Sequence, residues 1–311
     1  MSQLTVDEVL AKVQHRQSLR RAELSHINLC GARLDQGNFT QAYLRRANLE
    51  GASCSGADFS RATLVLAVLS GASLEGARLE AAELTQARLN RGILRELYAP
   101  KARFHGANLD ESDLSFATLT QADLADSSGH SAHFKNANLA QANLNHSNYS
   151  RASFGGAVLT RSHWRGATLQ GTAFYLADLE AADLTGADLT GANLTQADVL
   201  NARFEAACLD QALLLQTTAD WGNFNQASFV EADLSRASFY GAQLNQAILA
   251  GAKLTGANLT EASLEGADLT AADLTGAQVN GALFTDAQGL TAAQVTWLRS
   301  QGALNLPKPS L

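Results

Sequence analysis

Residues 180–200 read EAADLTGADLTGANLTQADVL, and between Ala182 and Val199 the pattern Ala-Asp/Asn-Leu-Thr-Gly/Gln returns every five residues. A helix cannot use this period. Positions two apart lie about 200° apart on a helix, and each repeat advances about 140°, so the apolar residues would spiral over every side. A continuous strand fails as well, because an odd period turns each successive Leu to the opposite face. The remaining solution is a short extended segment whose outer two residues, Ala and Leu, both point inward, followed by a two-residue corner.

With the central Leu of each repeat as position i, the frame runs from Leu24 to Phe284 without a slip. Of its 53 central positions 45 are Leu or Phe, which excludes chance; the others are Cys54, Ala99, Gly129, Tyr149, Trp164, Val199, Ala219 and Val279. Position i−2 is nearly always Ala, small enough for a crowded interior. Gly at i+2, as in Gly186, Gly191 and Gly256, eases the corner. Chained corners make a coil, and stacked coils make a solenoid whose backbone groups pair from one coil to the next. Aromatic spacing leaves the number of repeats per coil open. Phe39/Phe59, Phe134/Phe154, Phe154/Phe174 and Phe204/Phe224 lie 20 apart, whereas Phe134/Tyr149, Tyr149/Trp164 and Phe224/Phe239 lie 15 apart.

Composition agrees with a repeat array. Of the 311 residues 46% are hydrophobic, mostly Ala and Leu, and only 17% are charged, against about 25% in an ordinary soluble protein. The net charge of −7 is spread unevenly: residues 1–100 hold 12 basic and 10 acidic side chains, residues 101–200 hold 6 and 10, and residues 201–311 hold 5 and 10. Direct nucleic-acid binding, which needs a basic footprint, is not expected. Cys30, Cys54 and Cys208, odd in number and far apart, suit free thiols in a reducing cytosol. No basic-then-apolar leader opens the chain, and the longest strongly apolar run, 64–69, is too short to span a membrane. A cytoplasmic protein is expected.

The A(D/N)LXX array resembles the pentapeptide repeat family over about Ala22 to Ala287. The resemblance implies a right-handed, four-sided parallel β-helix of about 13 coils, at a strand spacing near 4.8 Å a stack of about 60 Å. The expected organisation is an N-terminal capping helix over 1–20, a repeat β-helix over 21–288, and a C-terminal capping helix and tail over 289–311. Open solenoid ends invite self-association unless covered. Thr5-Val6-Asp7-Glu8 and Thr291-Ala292-Ala293-Gln294 both have capping-box spacing, followed by apolar stripes at Val6, Val9, Leu10 and Val13 and at Val295 and Leu298. Some family members dimerise through the C-terminal end, which makes Trp297 and Leu298 the candidate contact; the chain is expected to be a monomer or such a homodimer.

Three stretches weaken the pattern without shifting it: RELYAPKAR at 95–103, ADSSGHSAH at 125–133 and QTTADWGN at 216–223. Local bulges are expected there, with recognition loops as the alternative. No catalytic constellation stands out. His130 and His133 lack a nearby Cys and read as solvated histidines rather than metal ligands. The many Asp and Asn at i−1, such as Asp183, Asp188, Asn193 and Asp198, diverge from a flat face and read as backbone partners rather than a cation site. Neither cofactor nor metal is expected. Outward apolar residues mark partner sites instead: Val65, Leu66 and Val68 form one group, and Leu213 and Leu215, with Tyr175 two four-repeat coils away, form another.

These features point to a non-enzymatic interaction or scaffold solenoid whose protein partner the sequence does not name. The resemblance adds an alternative, mimicry of duplex DNA towards DNA gyrase or topoisomerase IV with protection from toxins or quinolones. The acidic later two-thirds fit that alternative, and the near-neutral first third, with Arg20, Arg21, Arg45, Arg46 and Arg61 outward, fits it poorly.

Overall fold

The computed structural model describes residues 4–307; the outermost residues of both expected terminal segments, 1–3 and 308–311, lie outside the described residues. The chain forms two compact units, Met1–Val158 and Leu159–Leu311.

In the first unit, helix α1 (Val6–Gln14) opens on a reciprocal cap. The Thr5 hydroxyl accepts from the Glu8 amide, and the Glu8 carboxylate accepts from the Thr5 amide at 2.8 Å. Of the expected apolar stripe only Val9 is fully buried, while Val6 is exposed and Leu10 and Val13 are half-buried. From Leu19 onward the chain coils. Residue i−1 of every repeat bridges in parallel to the residue 20 positions later, beginning with Glu23 to Tyr43 and ending in this unit with Asn138 to Val158. Twenty residues per coil means four repeats per coil, which decides the question the aromatic spacing left open.

Each side carries the same four bonds, one of them from the amide of i+2 to the carbonyl of i+1 in the next coil, as from Gln41 to Ser60 at 2.9 Å. The amide of i donates to the carbonyl of i−1 in the next coil, as from Leu24 to Tyr43 at 2.8 Å. The amide of i−1 donates back to i−2, as from Tyr43 to Ala22 at 2.9 Å. The amide of i+3 then closes the corner onto the carbonyl of i, as from Ala42 to Phe39 at 2.9 Å. Position i+2 lies in the left-handed region at every corner, whether Gly (Gly51, φ 62°) or not (Gln41, φ 60°; Arg61, φ 57°). This is a type II turn, whose third residue needs positive φ. Gln, Arg, Glu and Ala tolerate it; no Val, Ile, Thr or Pro stands there, as expected for a conformation that punishes a branched Cβ.

In the second unit the same coil runs from the His163 to Asp183 bridge onward. Helix α2 (Ala292–Ser300) repeats the reciprocal cap between Thr291 and Gln294. The Gln294 side chain also donates to the Ala272 carbonyl at 3.0 Å, standing in for the amide of a further coil. After α2 the chain returns to the stack: Leu304 donates to Ala282 at 2.8 Å and accepts from Phe284 at 3.0 Å. Leu304 bridges Leu283, 21 residues back instead of 20, so α2 replaces two sides of a coil that is one residue longer than the others.

The interior is layered. Stacked rings fill it one coil apart, at 4.8 Å for Phe39 and Phe59, 4.7 Å for Phe134 and Phe154, and 4.9 Å for Phe204 and Phe224. Among the described residues no buried side-chain polar atom lacks a partner.

The three irregular stretches are not bulged; corners and bridges pass through them unbroken. The reason is compensation of size. At 95–103, large Leu97 occupies the small i−2 position and small Ala99 the large central one, both fully buried. At 125–133, Gly129 leaves the centre empty and the Tyr149 ring of the next coil fills it, so that a Cβ on Gly129 would lie 2.1 Å from that ring. The Tyr149 hydroxyl meets Ser127 at 2.9 Å, and Ser127 donates to the Leu124 carbonyl at 2.6 Å. At 216–223, the buried Thr217 hydroxyl donates to the Leu194 carbonyl at 2.8 Å beside small Ala219.

Candidate interaction surfaces

The repeated Asp and Asn serve the corner that follows them. Their Oδ1 accepts the amide two residues on, as from Thr190 to Asp188 at 3.0 Å, and a Thr at i+1 adds its hydroxyl at 2.6 Å. Where i−1 is Ser53, Ser128, Ser228, Ser238 or Ser263, the Asp or Asn at i+1 of the previous coil takes over. Asp110 accepts from the His130 amide at 2.8 Å, and Asp35 from that of Ser55 at 2.9 Å. Asp183 is nearly buried; burial raises its pKa, but the Thr185 hydroxyl, the Arg165 guanidinium and the Thr185 amide together bring it below the ordinary carboxylate range. Asp188 is lowered in the same way, with Thr190 and Gln170 outweighing burial. These carboxylates are committed to the wall, and among the described residues no group of His, Cys, Asp and Glu could hold a metal ion.

The sequence-selected apolar residues fare unequally. Tyr175, Leu213 and Leu215 are exposed on one side of the second unit, joined by Leu176 at the corner after Tyr175, itself 53% exposed. Their columns are set by the bridge from Asn193 to Leu213. Val65, Leu66 and Val68 are only half-buried wall residues, with Leu66 taking the left-handed corner. At the C-terminal end, Trp297 is half-buried and borders a groove of about 330 Å³ with Asp273, Thr275 and Gln294. Leu298 is fully buried under α2. It is part of the cap's core, so the expectation of a Leu298 contact is corrected: a helix docked on its apolar face cannot offer that face to a second chain.

The larger exposed side chains escaped the sequence reading. Ile93 and Phe116 stand out from the first unit, Trp221 and Ile248 from the second. Tyr98, 38% exposed, holds the Arg78 guanidinium 4.7 Å above its ring. The available signal was a large apolar residue at i+2, where Phe116, Leu176 and Trp221 all sit. Trp221 and Tyr98 lay inside stretches read as lapses of the frame.

Models of pentapeptide repeats match in eight copies over residues 22–53, 52–91, 94–126, 174–211, 220–251 and 247–286, more than half of the chain. The chain is a pentapeptide repeat protein. Its coil is accordingly the right-handed quadrilateral β-helix of that family. Among solved structures it is similar to HetL, a pentapeptide repeat protein involved in heterocyst differentiation regulation from the cyanobacterium Nostoc sp. strain PCC 7120. That likeness has 33% identity and a TM-score of 0.53, and covers 67% of this chain and 90% of HetL. A pentapeptide repeat protein from the Arabidopsis thaliana thylakoid lumen is 31% identical over 40% of this chain and 80% of its own, with a TM-score of 0.21. Full-length QnrB1, a plasmid-mediated fluoroquinolone resistance protein, is 15% identical with a TM-score of 0.36, over 74% of this chain and 96% of its own. No curated protein matches the chain. No described helix of this pentapeptide repeat protein is long and apolar enough to cross a membrane.

Proposed function

We propose that the chain is a non-enzymatic interaction solenoid of the cytoplasm. Residues 21–288 form its binding walls, with capping segments over 1–20 and 289–311. Pentapeptide repeat proteins are generally structural or interaction proteins, and the 33% identical HetL takes part in a regulatory process. The observation that carries the reading is the placement of Tyr175, Leu176, Leu213 and Leu215, all exposed, on one side of one unit. A wall whose polar groups are bonded internally keeps large apolar side chains in water at a cost that a partner would recover. The test is capture of partners from native cytosol by the full chain, its Leu213→Glu/Leu215→Glu variant, and a Val65→Glu/Val68→Glu variant. Loss with the first variant supports the reading; identical capture by all three removes both groups from the contact surface.

The second unit favours a second reading, that of a duplex-DNA mimic towards DNA gyrase or topoisomerase IV. It carries 15 carboxylates against seven Lys and Arg. A supercoiling assay with purified chain, with and without a quinolone, tests this; neither inhibition nor protection at micromolar protein removes it. Trp297 at the α2 groove is the remaining candidate for a C-terminal homodimer. Light scattering of the full chain and of Trp297→Ala separates a dimer held there from a monomer.

A further inference from the structure

One side of the second unit is built by residues 177–181, 197–201, 217–221, 237–241, 257–261 and 277–281. These six segments contain no Lys, Arg or His and carry five carboxylates, Asp178, Glu180, Asp198, Asp220 and Glu261; Arg161, whose amide donates to the Glu180 carbonyl, borders them one coil earlier on the same side. Midway along this stack, at the edge of the side, is Trp221, 54% exposed, at a left-handed corner with φ 59°. The indole lies along the stack over Gly241, where an added Cβ would come within 2.4 Å of it. The Tyr240 ring meets it edge-on, with centroids 5.1 Å apart and planes at 89°. Tyr240 is itself fixed at both ends: its hydroxyl donates to Glu261 at 2.9 Å and its amide to Asp220 at 3.0 Å.

The corner needs none of this, since Gly, Ala, Gln, Asn and Glu fill the same position in other coils of this unit. An exposed Trp held in one orientation presents the negative face of its π-system, and carboxylates on both flanks add to that potential. From Asp198 to Glu261 the carboxylates span three coil steps, roughly 14 Å at about 4.8 Å each. That is the length of four or five residues of extended chain. Trp and Tyr are also the side chains that most often anchor protein contacts. We propose that this side of the second unit is the docking surface for an extended, arginine-bearing segment of a partner protein, with Trp221 and Tyr240 as its anchor. Arginine is specified over lysine because a planar guanidinium stacks on the indole while its nitrogens reach the flanking carboxylates. The inference rests on the interaction reading and names the chemistry of the partner.

The test uses the full chain and fluorescein-labelled nona-arginine and nona-lysine peptides in anisotropy titrations at physiological salt. The expected result is tighter binding of the arginine peptide. Trp221→Ala weakens that binding about fivefold and abolishes the preference over lysine. The variant keeps the fold, because Ala81, Ala181, Ala206 and Ala271 occupy the same corner at φ 52° to 58°. Glu261→Gln weakens both peptides, whereas Glu265→Gln, on another side, leaves them unchanged. Absent binding, equal affinity for the two peptides with no effect of Trp221→Ala, or equal losses from Glu261→Gln and Glu265→Gln overturn the proposal. A cytosolic partner captured equally well by Trp221→Ala also overturns this docking site, and in that case the interaction reading stands.

Discussion

Gly129→Ala adds one methyl group in the first unit, and the structure predicts an unusually large cost. The new Cβ would lie 2.1 Å from Cε1 and 2.4 Å from Cδ1 of Tyr149, more than 1 Å inside the roughly 3.5 Å at which carbon atoms rest. The ring cannot step aside cheaply. It is fully buried, its hydroxyl is bonded to Ser127 at 2.9 Å, and it packs edge-on against Phe134 at 5.5 Å and Phe154 at 5.8 Å. Overpacking of this kind costs typically 1–3 kcal/mol, and this overlap belongs at or above about 3 kcal/mol. Tyr149→Leu alone removes the ring and opens the space over Gly129, costing about 3 kcal/mol as a cavity. In the double variant the Ala methyl enters that space, so the two costs do not add, and the coupling amounts to about 3 kcal/mol. Urea unfolding followed by far-UV circular dichroism, with the slope checked for unchanged cooperativity, reads all three variants. Additive costs, or a Gly129→Ala cost under about 1 kcal/mol, would refute compensation between Gly129 and Tyr149.

Leu97→Ala leaves two small residues facing one layer and costs about 2–5 kcal/mol, and adding Ala99→Leu recovers most of it in the same unfolding measurement. Ala206→Val places a branched Cβ at φ 54° and costs about 1–2 kcal/mol, whereas Ala206→Gly is near neutral by comparison of melting midpoints. Asp183, Asp188 and Asp273 have pKa values below the ordinary range. Their contribution is therefore full above the unfolded-state value and is lost as pH falls through the lower folded-state value. Asp183→Asn and Asp188→Asn should flatten the acid limb of a stability–pH profile and leave its neutral part parallel to wild type. Burial pushes the Cys54 thiol up to about 12, while Cys30 is exposed. A thiol-reactive probe at pH 8 should label Cys30 promptly and Cys54 only on unfolding.

The coil was legible in the sequence because its rule is local: Ala182 and Leu184 must face inward, and the left-handed corner position at i+2 need only lack a branched Cβ. The number of repeats per coil was not legible from aromatics, since Phe134 approaches both Phe154 one coil on and Tyr149 one side short of it. The behaviour of 95–103, 125–133 and 216–223 was hidden for a related reason. Compensation joins Leu97 to Ala99 within one coil and Gly129 to Tyr149 across two, whereas a frame read residue by residue scores each partner as a defect. That error also concealed Trp221, an outward residue in a stretch mistaken for a distortion. Leu298 failed in the other direction, because helical spacing marks an apolar face without saying what it covers.

Amide hydrogen exchange tests the unbroken coil most directly. Arg103, His133 and Asn223 each lie at the end of a stretch where the repeat weakens, and each amide donates to the preceding coil at 2.9 Å, to Ala82, Ser112 and Ala202. The account predicts that these three amides exchange as slowly as those of Ser73 and Asp188, which make the same 2.9 Å bond in regular repeats. Exchange at Arg103, His133 or Asn223 at the rate of an unprotected amide would contradict it.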